Sequence, residues 1–366
     1  MTAGAFGEAW FFDTKGNLYG TTSGGGAYGY GTVFQLTPRS NGRWAETILH
    51  SFRVNDPDGD DLNGSPVLDA AGNLYAAATS GGGPGTYGTV FELTPGSGSW
   101  HLTVLHRFRG KGPAGSPQGP LTMDPAGNLY GTADDPFELS RSSGRWKLTL
   151  LHKFPSFKGD GNGAYQGVIL DSRGNVYGAT EGGGTGNQGC IQTGCGIDYE
   201  LRHTPDGKWK EIVLHDFGNG DNMAISGALI LDGEGNLYGA AGGGANNQGA
   251  VYRLSRQSNG HRKAAIQYSF TGGADGGDPG DLVMDKSGNL YGATVNGGDP
   301  NCDCGVVFKL APGSKGKWKY TVLHRFTGND GAQPVAQLTL DSKGNLYGTT
   351  ATGGAGGAGV AFELTP

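Results

Sequence analysis

The run at positions 55–61, Asn-Asp-Pro-Asp-Gly-Asp-Asp, holds the residue types that could do the most specific chemistry. Oxygen ligands at alternate positions are typical of calcium-binding loops, because Ca²⁺ prefers carboxylate and amide oxygens. The run lacks the distal glutamate of an EF-hand and is flanked by β-prone segments, so an ordinary turn is the alternative interpretation. A calcium ion held by Asp56, Asp58 and Asp60 is the one cofactor that the sequence suggests.

Histidines recur in the pattern Leu-His-x-Phe, at His50, His106, His152, His215 and His324. Imidazole can bind metal or transfer protons near neutral pH, but the regular recurrence favours packing or hydrogen-bonding roles. The sequence contains no motif of a serine hydrolase, zinc protease or phosphate-binding loop. Paired carboxylates for glycoside hydrolysis remain an alternative, because a repeat fold can bring distant residues together.

The four cysteines form two local pairs, Cys190/Cys195 and Cys302/Cys304. We expect a disulfide within each pair, and free thiols or metal ligands are the alternatives. The second pair would close only a small ring. A joint zinc site is disfavoured because the pairs belong to different repeats. Disulfides would place the protein in an oxidising compartment.

Tyrosines stand out in the glycine-rich segments, at Tyr28, Tyr30 and Tyr87. A tyrosine ring on such a loop suits stacking on carbohydrate or contact with a protein, although these rings could also only pin their own loops. In the third repeat the corresponding loop shortens to residues 132–136 and carries Asp134 and Asp135. The short loop is expected to leave a notch beside the tyrosines, so these five residues are the predicted ligand-binding set.

All of these residues are positioned by a repeat of 47 to 61 residues. The motif Gly-Asn-Leu-Tyr, with Val for Leu in the fourth copy, begins at Gly16, Gly72, Gly127, Gly174, Gly235, Gly288 and Gly344. Each copy contains short β-prone runs, here named a to d, that are bounded by turn residues. No segment has a sustained 3.6-residue apolar period, so almost no helix is expected.

Seven such units predict an all-β fold, a seven-bladed β-propeller with four antiparallel strands per blade. A β-solenoid is the alternative. The seventh repeat has only three runs, so either its blade has three strands, which is the expectation adopted here, or the chain is a fragment of a longer protein. We expect a single domain over residues 1–366, with repeats at about 6–52, 66–108, 119–154, 167–217, 227–270, 281–326 and 337–366.

The number of residues between the aromatic positions of each repeat distinguishes packed strands from surface loops. The Phe that ends run d always lies eight positions after the residue that begins it, as in Trp318–Phe326 and, in repeat five, Arg262–Phe270, whereas the gap between runs b and c varies. Variable spacing marks surface loops. In a propeller the b–c and d–a loops emerge on one face, here named the loop face, which we expect to bind ligand. The Asp that precedes each Gly-Asn is expected to cap its own turn.

The a runs would line the channel of a propeller, and they are apolar, as in Val168-Ile169-Leu170 and Leu282-Val283-Met284. No a run is expected to carry a lone acid, histidine or arginine. Because a catalytic channel usually has such one-off polar residues, this pattern favours a protein that is not an enzyme.

Composition excludes several classes of function. The net charge is −6 and no basic stripe is present, which argues against a nucleic-acid partner. No apolar run is long enough for a membrane span. No signal peptide is visible at Met1-Thr2-Ala3-Gly4.

The combined unit, Asp-x-x-Gly-Asn-Leu-Tyr-Gly-Thr-Thr, then Gly-Thr-Val-Phe-x-Leu-Thr-Pro, then Trp-x-x-Thr-x-Leu-His-x-Phe, resembles the GloVer-type tandem repeat of bacterial proteins. Clean copies span 13–52, 69–108 and 285–326. The unit is more distantly similar to NHL-type and kelch repeats. The resemblance implies a secreted or surface-attached protein, often with a C-terminal anchor that these residues do not show. It supplies no catalytic residues.

Three functional hypotheses follow. The first is a non-enzymatic, extracellular or cell-surface propeller that binds polysaccharide or protein through the loop face. The second is a propeller hydrolase, lyase or lactonase with a metal or carboxylates in the channel. The third is a structural spacer at the cell surface.

Overall fold

The structure is a computed structural model that describes residues 10–54, 57–109, 115–154, 160–185, 194–218, 223–258, 261–335 and 337–366. Within these ranges the fold is all-β, and it is the predicted seven-bladed β-propeller with blades of four antiparallel strands and three described strands in the seventh blade. The chain divides into two compact units, residues Met1–Lys153 and Phe154–Pro366. The blades are numbered by repeat, and each unit is described by itself.

The first unit contains blades 1 to 3. Each blade is a four-stranded antiparallel sheet whose strands follow one another in chain order. The strands are β1 Phe11–Phe12, β2 Leu18–Thr22, β3 Thr32–Pro38, β4 Trp44–Ser51, β5 Val67–Leu68, β6 Leu74–Ala78, β7 Thr86–Pro95, β8 Trp100–Arg109, β9 Gln118–Met123, β10 Leu129–Ala133, β11 Asp135–Ser142 and β12 Arg145–Leu150.

The second unit contains blades 4 to 7. Among its described residues the only helix is a 3-10 turn at Ser314–Gly316. The strands are β13 Gly161–Asn162, β14 Val168–Leu170, β15 Val176–Ala179, β16 Gly182–Gly183, β17 Ile197–His203, β18 Trp209–Asp216, β19 Met223–Ile225, β20 Ile230–Leu231, β21 Leu237–Gly243, β22 Ala250–Arg256, β23 Arg262–Ser269, β24 Gly277–Met284, β25 Leu290–Asn296, β26 Val306–Pro312, β27 Trp318–Arg325, β28 Thr339–Leu340, β29 Leu346–Thr349 and β30 Ala361–Leu364.

The turn between strands a and b is built around its aspartate. In blade 6, Oδ1 of Asp285 accepts hydrogen bonds from the backbone N–H groups of Ser287 and Asn289, at 2.8 and 2.9 Å. Its Oδ2 accepts from the Asn289 amide at 2.7 Å and the Tyr291 hydroxyl at 3.1 Å. The same contacts recur at Asp13, Asp69, Asp124, Asp171, Asp232 and Asp341. The predicted turn-capping role is therefore confirmed.

Within each unit, aromatic rings join consecutive blades. The Phe that ends run d of one blade packs on the aromatic residue in strand c of the next, with ring centroids 5.2 Å apart for Phe270 and Phe308. Such edge contacts contribute about 0.5–1.5 kcal/mol beyond buried area. Gly292 lies against the same Phe308 ring, and a Cβ there would come within 2.6 Å of it. The ring contact between the Phe that ends run d and the aromatic residue of the next blade explains why the length of run d is constant. The equivalent pairs are Phe52–Phe91, Phe108–Phe137, Phe154–Tyr199, Phe217–Tyr252 and Phe326–Phe362.

The d–a loops lie against the b–c loops, as predicted for the loop face. In the first unit Asp60 and Ser80 form an antiparallel bridge, and the Thr89 hydroxyl donates to the Asp58 carbonyl at 2.6 Å. In the second unit β13 pairs with β16, and β19 pairs with β21. Backbone pairing therefore holds the two kinds of loop together.

Candidate functional site

The b–c loop of blade 1 presents two tyrosines. Gly25 forms backbone bridges to Gly29 and Tyr30, which closes the loop into a compact turn. Gly29 has a φ of +86°, a conformation that glycine adopts without steric cost. The side chains of Tyr28 and Tyr30 are 47% and 42% exposed. The loop backbone is thus ordered by its own bridges, while both rings face solvent.

An arginine holds the first of these rings. The Arg53 guanidinium carbon lies 4.1 Å from the ring centroid of Tyr28, and Nη2 donates to the phenol oxygen at 2.5 Å. A cation over an aromatic face contributes about 0.5–1 kcal/mol at an exposed site. Arg53 lies just after run d, so two elements of blade 1 converge here. The pair offers a flat aromatic surface beside several N–H donors.

Tyr87 belongs to blade 2 and is 50% exposed. The structure extends β7 back to Thr86, so this tyrosine stands at the beginning of a strand. The Thr86 hydroxyl donates to the carbonyl of Gly81, and Arg107 donates through Nε to Gly82. Arg107 also donates to the carbonyl of Pro57 in the d–a loop, at 3.2 Å. These bonds fix the backbone on which Tyr87 stands.

The two aspartates of blade 3 lie in different surroundings. Asp134 is exposed and forms the tip of the β10–β11 hairpin, with a φ of +62°. Asp135 is only 4% exposed and pairs with Ala133 across the hairpin. A buried carboxylate in a hairpin ladder cannot present itself to a macromolecule, so only Asp134 is placed to touch a ligand.

The predicted calcium loop is partly described, because Asp56 lies outside the described residues. Asp58 faces His50, with 3.5 Å between its Oδ2 and Nε2 of the ring. Asp60 is 8% exposed. Within the described ranges, neither aspartate belongs to a cluster of three metal-ligating side chains. Calcium binding here stays a prediction.

The recurring histidines pack on the run-d phenylalanines. The rings of His106 and Phe108 lie edge to face at 4.9 Å, and similar contacts occur for His50, His215 and His324. His324 also bonds Asp330 through Nε2 at 2.9 Å. These contacts confirm a packing role for the four histidines and, for His324, a hydrogen-bonding role as well.

Strand a of blade 6 corrects one expectation. β24 begins at Gly277 rather than at Leu282, because a register shift between Pro279 and Leu282 lets the strand continue into the d–a loop. Two acids therefore lie on this a strand, and the expectation that no a run carries an acid was wrong. Asp278 is exposed, whereas Asp281 is half-buried. Its Oδ1 accepts from the backbone N–H of Ala228 at 2.5 Å, and burial raises the pKa of this carboxyl.

A second acidic feature was missed because its members are distant in sequence. Asp160, in a d–a loop, contacts Glu211 on β18. Burial, followed by the negative charge and hydrogen bond of Asp160, raises the pKa of Glu211 to about 8. Two carboxyl groups in contact resist ionising together. The two residues lie far apart in sequence, so only the fold brings them together.

The cysteines of repeat six are joined. Cys302 and Cys304 form a disulfide with an S–S distance of 2.09 Å. Cys195 is also disulfide-bonded, and its predicted partner Cys190 lies outside the described residues.

In the part of the chain that the structure describes, no helix has the length and apolar character needed to cross a bilayer.

Comparisons with known proteins bear on family and fold. A family model described as the Gloeobacter/Verrucomicrobia repeat matches residues 7–195 and again 191–366. A sequence comparison with curated proteins finds no match. An ancestral GH74 enzyme has a TM-score of 0.62 and 12% identity, with 100% of this chain and 48% of that chain covered. The extracellular domain of a one-component system from B. thetaiotaomicron has a TM-score of 0.56 and 14% identity, with coverage of 99% and 39%.

A luciferin-regenerating enzyme has a TM-score of 0.50 and 14% identity, with 83% of this chain and 91% of that chain covered. The chain thus spans less than half the length of the GH74 enzyme and of the one-component system. At these identities the likenesses concern the fold alone.

Proposed function

This chain belongs to the Gloeobacter/Verrucomicrobia repeat family, and from that premise we propose that it is a non-enzymatic extracellular protein that binds polysaccharide through the loop face of blades 1 and 2. One observation carries the proposal: Tyr28, Tyr30 and Tyr87 are 42–50% exposed on backbone that bridges and side-chain hydrogen bonds hold in place. Exposed aromatic rings on ordered loops lose little conformational entropy on binding.

The chemistry of the loops favours a saccharide. A tyrosine ring presents an apolar face to the C–H groups of a sugar, while its hydroxyl and a neighbouring guanidinium can bond sugar hydroxyls. Arg53 stands beside Tyr28 in this way. Only 16% of the residues are charged, so binding would depend on stacking and hydrogen bonds rather than on ion pairs. Tyr and Arg also anchor protein interfaces, which makes a protein ligand the competing outcome.

Disulfide bonding supports the extracellular location. Cys302 and Cys304 are bonded, and so is Cys195. Such bonds persist mainly in secreted and surface proteins, because the cytosol keeps thiols reduced. The proposal therefore concerns ligands found outside the cell.

A pull-down on insoluble polysaccharides tests the proposal. Cellulose, xylan, mannan, chitin and alginate would be incubated with the wild-type chain and with the Tyr28→Ala/Tyr30→Ala/Tyr87→Ala variant. The proposal expects capture by at least one polymer and its loss in the variant. Capture that is unchanged in the variant, or no capture by any polymer while a protein ligand is bound, contradicts it. Parallel arms with CaCl₂ and EDTA test the predicted calcium at Asp56, Asp58 and Asp60.

A propeller hydrolase is the second candidate, and Asp281 is the observation that favours it. An acid with a raised pKa on an a strand is the type of residue that donates a proton in glycoside hydrolysis. That chemistry needs a second carboxyl group about 5–10 Å away. Incubating the captured polymer with the wild-type chain and Asp281→Asn decides the matter: release of sugars by the wild type alone would establish the hydrolase, and no release by either supports simple binding.

A further inference from the structure

The disulfide of blade 6 joins two cysteines that lie in unlike surroundings. Cys302 is exposed in the b–c loop, whereas Cys304 is only 3% exposed. Cys304 belongs to a buried cluster that also contains Val307 and Phe326. One cysteine of the bond is therefore open to molecules that reach the loop face, and the other is covered by the core of the blade.

Hydrogen bonds close this loop independently of the disulfide. At its base the Gly305 N–H donates to the Gly297 carbonyl at 2.9 Å. The Asp299 carbonyl accepts from the N–H groups of Cys302 and Asp303, at 3.3 and 2.9 Å, and Oδ1 of Asp303 accepts from the Gly297 N–H at 2.5 Å. A disulfide that encloses one residue adds little to such a loop, because a short ring hardly restricts the unfolded chain. Its role is therefore better sought in its chemistry than in cross-linking.

The surroundings of the bond suit the reduced form as well. Sγ of Cys302 lies 3.7 Å from the carbonyl oxygen of Phe326. A disulfide sulfur has no hydrogen to donate, but a thiol at this place can donate a weak hydrogen bond to that oxygen. The main chain of the second cysteine is also fixed, because the Cys304 carbonyl accepts from the Gln333 N–H at 2.9 Å. Both cysteines are thus held near one another when the bond opens, so that it can close again.

We propose that Cys302–Cys304 is a thiol–disulfide exchange site, which oxidises thiols that reach the loop face. An incoming thiolate attacks Sγ of Cys302, the exposed cysteine. A sulfur–sulfur bond forms to Cys302, the Cys302–Cys304 bond breaks, and its electron pair passes to the Cys304 sulfur, which takes up a proton. A second thiolate then attacks the incoming sulfur and releases Cys302 as a thiol. Two external thiols leave as one disulfide, and the cysteine pair has gained two electrons and two protons.

Charge near the exposed cysteine selects among thiols. Asp303 follows Cys302 directly and is exposed, and Asp299 lies in the same loop, where its Oδ1 accepts from the Asn301 N–H at 2.8 Å. Carboxylates repel an anionic thiol and attract a cationic one over about 10 Å at 0.1 M salt. The class of substrate is therefore a thiol that carries positive charge, either a small aminothiol or a cysteine in a basic peptide.

The first test locates the mixed disulfide. The full chain is incubated with cysteamine, quenched with acid and digested for peptide mapping. The proposal expects cysteamine on Cys302, and it expects the Cys302–Cys304 bond to open at least about tenfold faster than the bond of Cys195, a fully buried cysteine of the same chain. Cysteamine on Cys304, or a Cys302–Cys304 bond that opens no faster than the bond of Cys195, overturns the proposal.

Two single variants separate the roles of the two sulfurs. Cys304→Ser keeps the exposed thiol and Cys302→Ser keeps the buried one. At a pH and temperature at which circular dichroism shows both variants to be folded, iodoacetamide should alkylate the thiol of Cys304→Ser at least about tenfold faster. Equal rates in the two folded variants contradict the assignment of Cys302 as the attacked sulfur.

A charge variant tests the preference for cationic thiols. The measured quantity is the rate of exchange with cysteamine divided by the rate with the anionic thiol mercaptoethanesulfonate. This ratio should fall by at least about twofold in Asp303→Asn, and also in the wild type when NaCl is raised to about 1 M. Asn keeps an acceptor oxygen for the Gly297 N–H, so the loop is retained. A ratio that neither change lowers overturns the assignment of the substrate class.

Discussion

The hydroxyl of Tyr252 donates a hydrogen bond to Oδ1 of Asp198, 3.1 Å away, between blades 4 and 5. Both side chains are buried, at 1% and 0% exposure. At the next boundary the corresponding positions hold Val251 and Phe308, which pack in one apolar cluster. A valine–phenylalanine contact has therefore been replaced by a hydrogen-bonded acid and phenol inside the core.

In these buried surroundings the pKa of Asp198 is shifted far from its ordinary value. Burial raises the pKa of Asp198 to about 8, although the hydrogen bond from Tyr252 and the charge of Arg262 act in the opposite direction. Its Oδ2 has no hydrogen-bond partner among the described residues. Because an ionised carboxylate is costly in such surroundings, the folded protein holds this group in its neutral form at and below neutral pH.

Removing the phenol should destabilise the second unit. In Tyr252→Phe, Asp198 loses its donor, and we expect the free energy of unfolding to fall by about 1–3 kcal/mol. The double variant Asp198→Val/Tyr252→Phe restores the pattern of the next boundary and should be at least as stable as the wild type. Urea denaturation of the wild type, both single variants and the double variant measures the coupling. A double variant less stable than Tyr252→Phe contradicts this account.

Asp198 also gives stability a dependence on pH. Its folded-state pKa of about 8 lies above the unfolded value of about 3.9, so between these values the folded state binds one more proton than the unfolded state. The contribution of Asp198 to the free energy of unfolding should therefore be greatest below about pH 4 and should fall as pH rises towards 8, by about 1.4 kcal/mol per pH unit in the middle of this range.

Urea denaturation at pH 5, 6, 7 and 8 tests this dependence. Glu211 contributes with the same sign, because its pKa is raised as well. The comparison with Asp198→Val/Tyr252→Phe isolates Asp198, and the slope of that variant should be smaller by about one proton. Identical slopes in the two proteins would show that Asp198 does not titrate in this range.

The a–b turns should depend on their aspartates. Asp285→Ala removes the acceptor of four hydrogen bonds, and we expect a loss of about 1–3 kcal/mol in the free energy of unfolding. Asp285→Asn keeps one acceptor oxygen and should cost less. Lys286→Ala, at the exposed neighbouring position, is the matched control and should stay within about 0.5 kcal/mol of the wild type. If Asp285→Ala behaves like this control, the turn does not depend on its cap.

The Cys302–Cys304 disulfide should contribute modestly. It encloses only one residue between its cysteines, and short loops restrict the unfolded chain little, so Cys302→Ser/Cys304→Ser should cost about 1–2 kcal/mol. Thermal denaturation of the two proteins measures the loss. Peptide mapping after alkylation without reductant should leave both cysteines of the wild type unlabelled. Labelling of either cysteine contradicts the bond.

The repeat made the architecture predictable. The number of residues between the aromatic positions of a repeat depends on contacts within that repeat or with the next one, such as that of Phe270 with Phe308. Because the repeat occurs seven times, the constant spacing is visible in a single sequence. The capped turns follow for the same reason, because Asp285 bonds only residues two to six positions on. The three-stranded seventh blade followed from counting runs.

Departures from the repeat could not be predicted in the same way. Asp281 lies on β24 only because that strand extends into the d–a loop. Asp198 replaces a valine, and its partner Tyr252 is 54 residues away. Asp135 looked like its exposed neighbour Asp134, but the hairpin turns its side chain inward. The first two cases depend on contacts between loops or blades and the third on the side to which a hairpin turns a side chain, and residue types and local spacing do not encode either.

The central claim is that three tyrosines bind polysaccharide, and the most direct measurement is affinity electrophoresis in gels that contain soluble xylan, mannan or alginate. The proteins are the wild type, Tyr28→Ala/Tyr30→Ala/Tyr87→Ala, and Ile266→Ala, a control with a side chain 47% exposed on β23. We predict that at least one polymer retards the wild type and Ile266→Ala equally and that the triple variant loses at least about tenfold in affinity. Equal retardation of all three proteins, or none in any gel, would contradict the account.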